Sequence, residues 1–175
     1  PTVVATADNY VFSSTMAVNK PTGTADGDQM FAWVNIAWNS TVSAAPSGWT
    51  LVGSVNQPSG ALGGTWYLYR KLAWSEGSSY TWTLSQSQNH WGAIVSVRGA
   101  DPTFPVNAGG TPNTTLVSGS LAISALTPTV TNTLLLAFYS ARNLTATPSA
   151  YTHQSGMTEV LDRSDNYSGL GIASL

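Results

Sequence analysis

The chain has 175 residues, of which 42% are hydrophobic and 8% charged, with eight acidic against six basic residues, a formal net charge of −2 and no cysteine. That length predicts one domain with a real core, and the hydrophobic fraction excludes a disordered chain. The missing thiols exclude a disulfide framework and a thiolate metal site, so packing and sheet hydrogen bonds must hold the fold.

Neither charge sign is clustered, and Arg70-Lys71 is the only adjacent basic pair. A nucleic-acid surface needs several convergent cations, so nucleic acid is not an expected partner. No run approaches the roughly 20 apolar residues that span a bilayer, so no membrane insertion is expected, and no signal peptide is recognisable. The sequence begins at Pro1 rather than Met, which suggests processing, excision or an excluded tag. With so few charges, hydroxyls, amides and backbone must cover the surface, which suits a loop-rich β fold better than a helical bundle.

In chain order, VVATA and YVFSSTMAV read as short strands separated by Asp8-Asn9, and turns follow at Lys20 to Gly23 and Asp26 to Asp28. MFAWVNIAW comes next and organises the chain. Met30, Ala32, Val34, Ile36 and Trp38 alternate with Phe31, Trp33, Asn35 and Ala37, predicting a strand packed on one face and partly covered on the other. A loop through NSTVSAAPSG leads to a strand at WTLVGSV, and QPSGALGG forms a turn. TWYLYRKLAW is a strand with large side chains on both faces. Tyr80, Trp82 and Leu84 alternate with Thr81, Thr83 and Ser85, the clearest half-buried strand. A polar loop at QSQNH precedes WGAIVSVRG, which the segment Gly99 to Pro105 breaks. Further strands are expected at LAISAL and NTLLLAFYSA, then NLTATPSAY leads to SGMTEVLD, and YSGLGIASL follows.

A faint repeat is visible. MFAWVNIAW, SGWTLV and WYLYRKLA in the first half match TLLLAFYSA, SGMTEVL and YSGLGIASL in the second, with nothing in the second half matching YTWTLS or WGAIVSVRG. The expected fold is therefore all-β: a two-sheet antiparallel β-sandwich, jelly-roll-like, pseudo-repeated and incomplete at its C-terminal edge. It would form a single domain over residues 1–175, with halves near 1–105 and 118–175 and a surface linker at 106–117. The closing strands would be truncated, cleaved or supplied by another subunit.

The motifs Gly27-Asp28, Pro46 to Trp49, Lys71, Tyr80 to Thr83, and Ile94 with Arg98 to Asp101 resemble a widespread phage and bacterial module of tail-fibre, adhesin and virion surface proteins. The resemblance runs from Gly27 to Asp101, and SGMTEVL fits the same pattern. It implies a β-sandwich or jelly roll in a virion or on an extracellular surface, with no agreed catalytic residues. Members of the module usually continue through further β segments.

No catalytic, metal-binding or cofactor-binding residues are expected, and no cofactor. His90 and His153 lack metal-site spacing, Asp26 and Asp28 form only a fragment of a calcium loop, and no GxSxG elbow exists. Glu76, Asp101, Glu159, Asp162 and Asp165 sit in no acid/base motif. The seven tryptophans and seven tyrosines are the most distinctive chemistry. Trp38, Trp49, Trp74 and Trp91 are candidates for glycan or interface contact, with Gln86, Gln88 and Asn89 as polar partners, although large aromatics ordinarily serve as core. Arg98 and Asp101 are expected to lock a turn by a charge-assisted hydrogen bond.

These features point to a non-enzymatic structural component of a phage virion or surface assembly, a homo-oligomer or a partner of other virion proteins. The alternative is a carbohydrate-binding receptor-recognition module of a tail fibre or secreted protein.

Overall fold

The computed structural model describes residues 1–38, 40–57, 63–110, 125–142, 151–165 and 168–175. Asn39, the PSGAL turn, residues 111–117 of the linker, most of LAISAL, most of NLTATPSAY and Asn166-Tyr167 lie outside the described residues. The fold is all-β, with two antiparallel sheets and no helix among the described residues. Its strands are β1 (Thr2–Asn19), β2 (Gln29–Ala37), β3 (Val42–Ala44), β4 (Thr50–Gln57), β5 (Gly64–Leu72), β6 (Ser79–Arg98), β7 (Leu136–Arg142), β8 (Thr158–Asp165) and β9 (Ser168–Ser174). The first sheet runs β1-β6-β2-β5-β4 with β3 also paired to β6, and the second runs β7-β9-β8.

Two predicted interruptions do not occur. Asp8-Asn9 lies inside β1 and QSQNH lies inside β6, because the two segments pair from Thr2 opposite Arg98 to Asn19 opposite Ser79. Asp8 and Asn9 favour turns, but a ladder of this length supplies more backbone hydrogen bonds than a local turn can. The polar QSQNH segment instead coincides with an irregularity. The register shifts between Ser13 and Thr15, leaving extra residues on the β6 side, and bulges of this kind bend a strand.

The bend lays the far part of the β1-β6 ribbon over the sheet's own inner face. Met16 and Val18 of β1 and Tyr80, Trp82 and Leu84 of β6 pack against Met30, Ala32, Val34 and Ile36 of β2, with Tyr69, Ile94 and Trp49. Gly92 permits the approach, since a Cβ there would meet Met16 Cε at 2.6 Å and Val18 Cγ2 at 2.8 Å. The second sheet covers the opposite face. Phe31, Trp91, Ala93, Val95 and Val97 pack with Leu161, Leu170 and Ile172, and with the half-buried Trp33 and Phe138. β2 is thus buried on both faces, more completely than its alternation alone predicts.

The repeat is real at the level of pairing. β2 pairs β5 and β5 pairs β4; β7 pairs β9 and β9 pairs β8. Thr50 faces Arg70 as Thr158 faces Ser174, and both ladders slip one residue at a valine, Val52 in one and Val160 in the other. Each unit enters through the same turn. Gly48 and Gly156 have φ of 81° and 93°, backbone that glycine adopts freely. The next residue donates back across each turn, Trp49 to Pro46 and Met157 to Gln154. In this alignment Trp33 corresponds to Phe138 and Asn35 to Ser140. The corresponding residues touch: the two rings lie 5.7 Å apart, and the Asn35 amide donates to the Ser140 hydroxyl. The two units therefore face each other about an approximate two-fold axis between β2 and β7.

Candidate functional site

The motif residues of the first half are brought together in two polar clusters. In the first, Arg98 at the end of β6 grips Asp28 at the entrance to β2, with Nε to Oδ1 at 2.9 Å and Nη2 to Oδ2 at 2.8 Å. Asp28 is buried and accepts a third bond from the Ala25 N–H, while Arg98 also donates to the Gly23 carbonyl. The Arg98 hydrogen bonds lead the effects that hold the Asp28 carboxyl below its ordinary pKa, outweighing burial. The cluster joins the Gly23 loop to the ends of two central strands, and it corrects one expectation. Arg98 does not bond Asp101; that carboxylate accepts the N–H groups of Thr103 and Phe104 in its own turn. The Asx turn satisfies Asp101 locally, leaving the guanidinium to meet the carboxylate at the adjoining strand end.

In the second cluster, Lys71 Nζ lies 2.9 Å from Glu76 Oε2 and donates to the Ser47 carbonyl. Tyr80 donates its hydroxyl to the same Glu76 oxygen at 2.9 Å. Burial opposes the Glu76 charge, but hydrogen bonds from Lys71, the Trp74 N–H and Tyr80 prevail and hold its pKa below the usual value. Gly48 gives the lysine room, since a Cβ there would come within 3.0 Å of Nζ. The Pro46 to Trp49 turn, Lys71 and the start of β6 are thereby tied at one corner. Both clusters are built on hydrogen-bonded ion pairs that tie strand ends and turns together.

The four candidate tryptophans divide by environment. Trp49 lies in the inner core against Tyr80 and Trp82, and Trp91 lies between the sheets against Tyr10. Trp38 and Trp74 are 46% and 73% exposed. They cannot share one platform. Trp38 follows β2 at its Ala37 end and Trp74 follows the Leu72 end of β5, and the antiparallel pairing sets these ends a strand length apart, roughly 27 Å. Gln86 is exposed and Gln88 and Asn89 are half-buried, all on β6 rather than in a loop.

The histidines do not converge. His90 is buried on the inner face of the first sheet, where Nδ1 accepts the Ala37 N–H and Nε2 faces the Gln86 carbonyl, both at 3.4 Å. Burial pushes its pKa down, so the ring is neutral. His153 packs on Tyr139 at the far face of the second sheet, 3.7 Å from Glu159, beyond hydrogen-bond reach. Among the described residues no three His, Cys, Asp or Glu side chains are grouped to hold a metal ion. No helix among them is long and apolar enough to cross a membrane.

No family model, curated protein or solved structure matches this chain.

Proposed function

We propose that this chain is a non-enzymatic structural component of a surface assembly, such as a phage virion, acting by subunit packing and presentation of its surface. β4 carries this reading. All its residues are exposed or half-exposed, with Leu51 and Val52 at 49% and 40%, and an ideal Cβ on Gly53 would meet nothing within 4 Å. In β8, its counterpart, the residue matching Gly53 is the buried Leu161, and Val160 packs into the core between the sheets. A strand with apolar side chains bare on both faces is suited to being covered by a neighbour. The resemblance of the Gly27 to Asp101 motifs to virion and adhesin modules supports the same reading, as does a surface with few charges.

Sedimentation of the purified chain over a concentration series tests this. Association that Leu51→Lys with Val52→Lys abolishes, with the fold intact by circular dichroism, is the expected result. A wild-type chain that stays monomeric at all concentrations, and whose Leu51 and Val52 remain open to hydroxyl-radical footprinting in assembled material, would remove the reading.

A carbohydrate-binding module is the second reading, favoured by the open rings of Trp38 and Trp74. Trp38 also holds φ 59°, costly for a bulky residue, and such strain gathers where a side chain has work to do. A glycan-array signal lost in Trp38→Ala or Trp74→Ala would select it.

A further inference from the structure

We propose that His90 is an acid-sensitive latch on the Ala37-Trp38 corner, so that pH governs how the Trp38 ring is presented. The inference rests on the carbohydrate reading only for what that ring touches.

Trp38 is a bulky residue held at φ 59°, a left-handed backbone that its neighbours have to secure. Two hydrogen bonds do so from opposite edges of β2. On the β5 edge the Trp38 N–H donates to the Gly63 carbonyl at 3.0 Å, an oxygen that also accepts Arg142 Nη1 of β7 at 2.6 Å. On the β6 edge the Ala37 N–H donates to His90 Nδ1 at 3.4 Å. The pairing of β2 with β6 ends at Ile36 opposite His90, so at Ala37 a side chain stands in for the ladder carbonyl. The acceptor that holds the corner is therefore a titratable ring.

Nδ1 accepts only while it is unprotonated, so the proton of the neutral ring is on Nε2, which faces the Gln86 carbonyl at 3.4 Å. A second proton makes both nitrogens donors, and the Ala37 N–H then meets another N–H. The surroundings do not favour the charge. His90 is 1% exposed. β2 contributes Ile36 and the Ala37 N–H, and β1 contributes Val11 and the Ser13 carbonyl, while Tyr10 of β1 packs on Trp91. The Gln86 and Ser13 carbonyls favour an imidazolium, but burial outweighs them. Among the described residues the one charged group acting on the ring is Arg142, of like sign. Residues 39, 58–62 and 143–150, which adjoin Trp38, Gly63 and Arg142 in the chain, contain no ionisable side chain. Acid therefore favours a state in which the corner opens and the ring takes its proton in water. Because the open state binds one more proton, its population should rise by up to about tenfold per pH unit as pH falls from 6.5 toward the folded value.

Residue-resolved amide exchange of the intact chain from about pH 7.5 to 5, normalised to intrinsic rates, tests this. Protection of the Ala37 and Trp38 amides should hold above about pH 6.5 and then fall by up to about tenfold per unit, in step with titration of the His90 ring protons. The Val34 amide, in the middle of β2, should stay better protected at every pH, which marks the opening as local. His90→Asn, whose side-chain oxygen stands near the place of Nδ1 and does not titrate, should keep the corner protected and remove its pH dependence. His153→Asn should leave that dependence unchanged. Three results would overturn the proposal: Ala37 and Trp38 exchanging no faster than Val34, so that only global unfolding exposes them; constant protection of the corner between pH 7 and 5; or the same pH dependence in His90→Asn. If His90→Asn does not fold, the comparison of Trp38 with Val34 in the wild-type chain decides alone. A glycan-array signal at pH 7 that drops at pH 5 in the wild-type chain and persists in His90→Asn would join the latch to the carbohydrate reading. A latch that behaves as described with no glycan signal at either pH would stand, and would remove that reading.

Discussion

Trp33 and Phe138 hold the same position in two copies of one three-stranded motif and lie against each other, ring centroids 5.7 Å apart and planes inclined at 34°. Both side chains belong to the layer between the sheets. They are half-buried, so truncation of either to alanine should cost about 2–4 kcal/mol in urea unfolding, somewhat below the range for fully buried aromatics. The double variant should cost less than the sum by about 0.5–1.5 kcal/mol, the coupling of a ring pair. Full additivity would show that the two units are not joined through this contact. Trp33→Phe should be far milder, because the Trp33 indole N–H is buried without a hydrogen-bond partner among the described residues.

Gly92 is the point where the folded-over ribbon meets the sheet beneath it. Gly92→Ala should destabilise by about 1–3 kcal/mol, since Val18 is stiff at χ1 and Met16 is fully buried with little room to turn aside. Val18→Ala in the same chain should recover part of that loss. Equal cost with and without the Val18 change, measured by denaturant midpoint, would place the strain elsewhere.

Acid should weaken the fold in two stages. Burial lowers the His90 pKa from its ordinary 6.5, so the unfolded chain takes up this proton first, and stability present above pH 6.5 declines as pH falls through the folded value. Asp28 and Glu76 are also held below their ordinary 3.8 and 4.5, and their contributions decline at lower pH by the same sign. His90→Gln should flatten melting temperature between about pH 6.5 and 5 and leave the lower stage. Asp28→Asn should lower the melting temperature at pH 7 and shrink the second stage. A melting temperature that rises on acidification from pH 7 to 5 would contradict this account.

The tryptophans should separate sharply in stability. Trp82→Ala, at a side chain with no exposure, should cost about 3–5 kcal/mol, and Trp49→Ala nearly as much. Trp74→Ala should change stability by no more than about 0.5 kcal/mol. A large loss from Trp74→Ala would mean that this ring packs within the fold, and it would weaken the carbohydrate reading, which uses it as a contact surface.

The kind of structure is legible in the residues alone. Period-two alternation through MFAWVNIAW, YTWTL and WGAIVSV names strands, because side chains on a pleated backbone must alternate. PSG before Trp49 and SGM around Gly156 name matching turns, because glycine takes positive φ at little cost. Lack of cysteine and scarcity of charge left apolar packing as the main source of stability. Alternation tells which residues share a face and is silent on what covers that face. Folding in three dimensions makes Trp49 and Trp91 core while Trp38 and Trp74 are open. It also decided that Arg98 takes Asp28 and leaves the nearby Asp101 to its own turn, and that Asp8-Asn9 and QSQNH are drawn into one long ribbon. Each outcome depends on partners far away in the chain, where the many hydrogen bonds of a ladder or the burial of an ion pair outweigh a local preference worth only a fraction of that free energy.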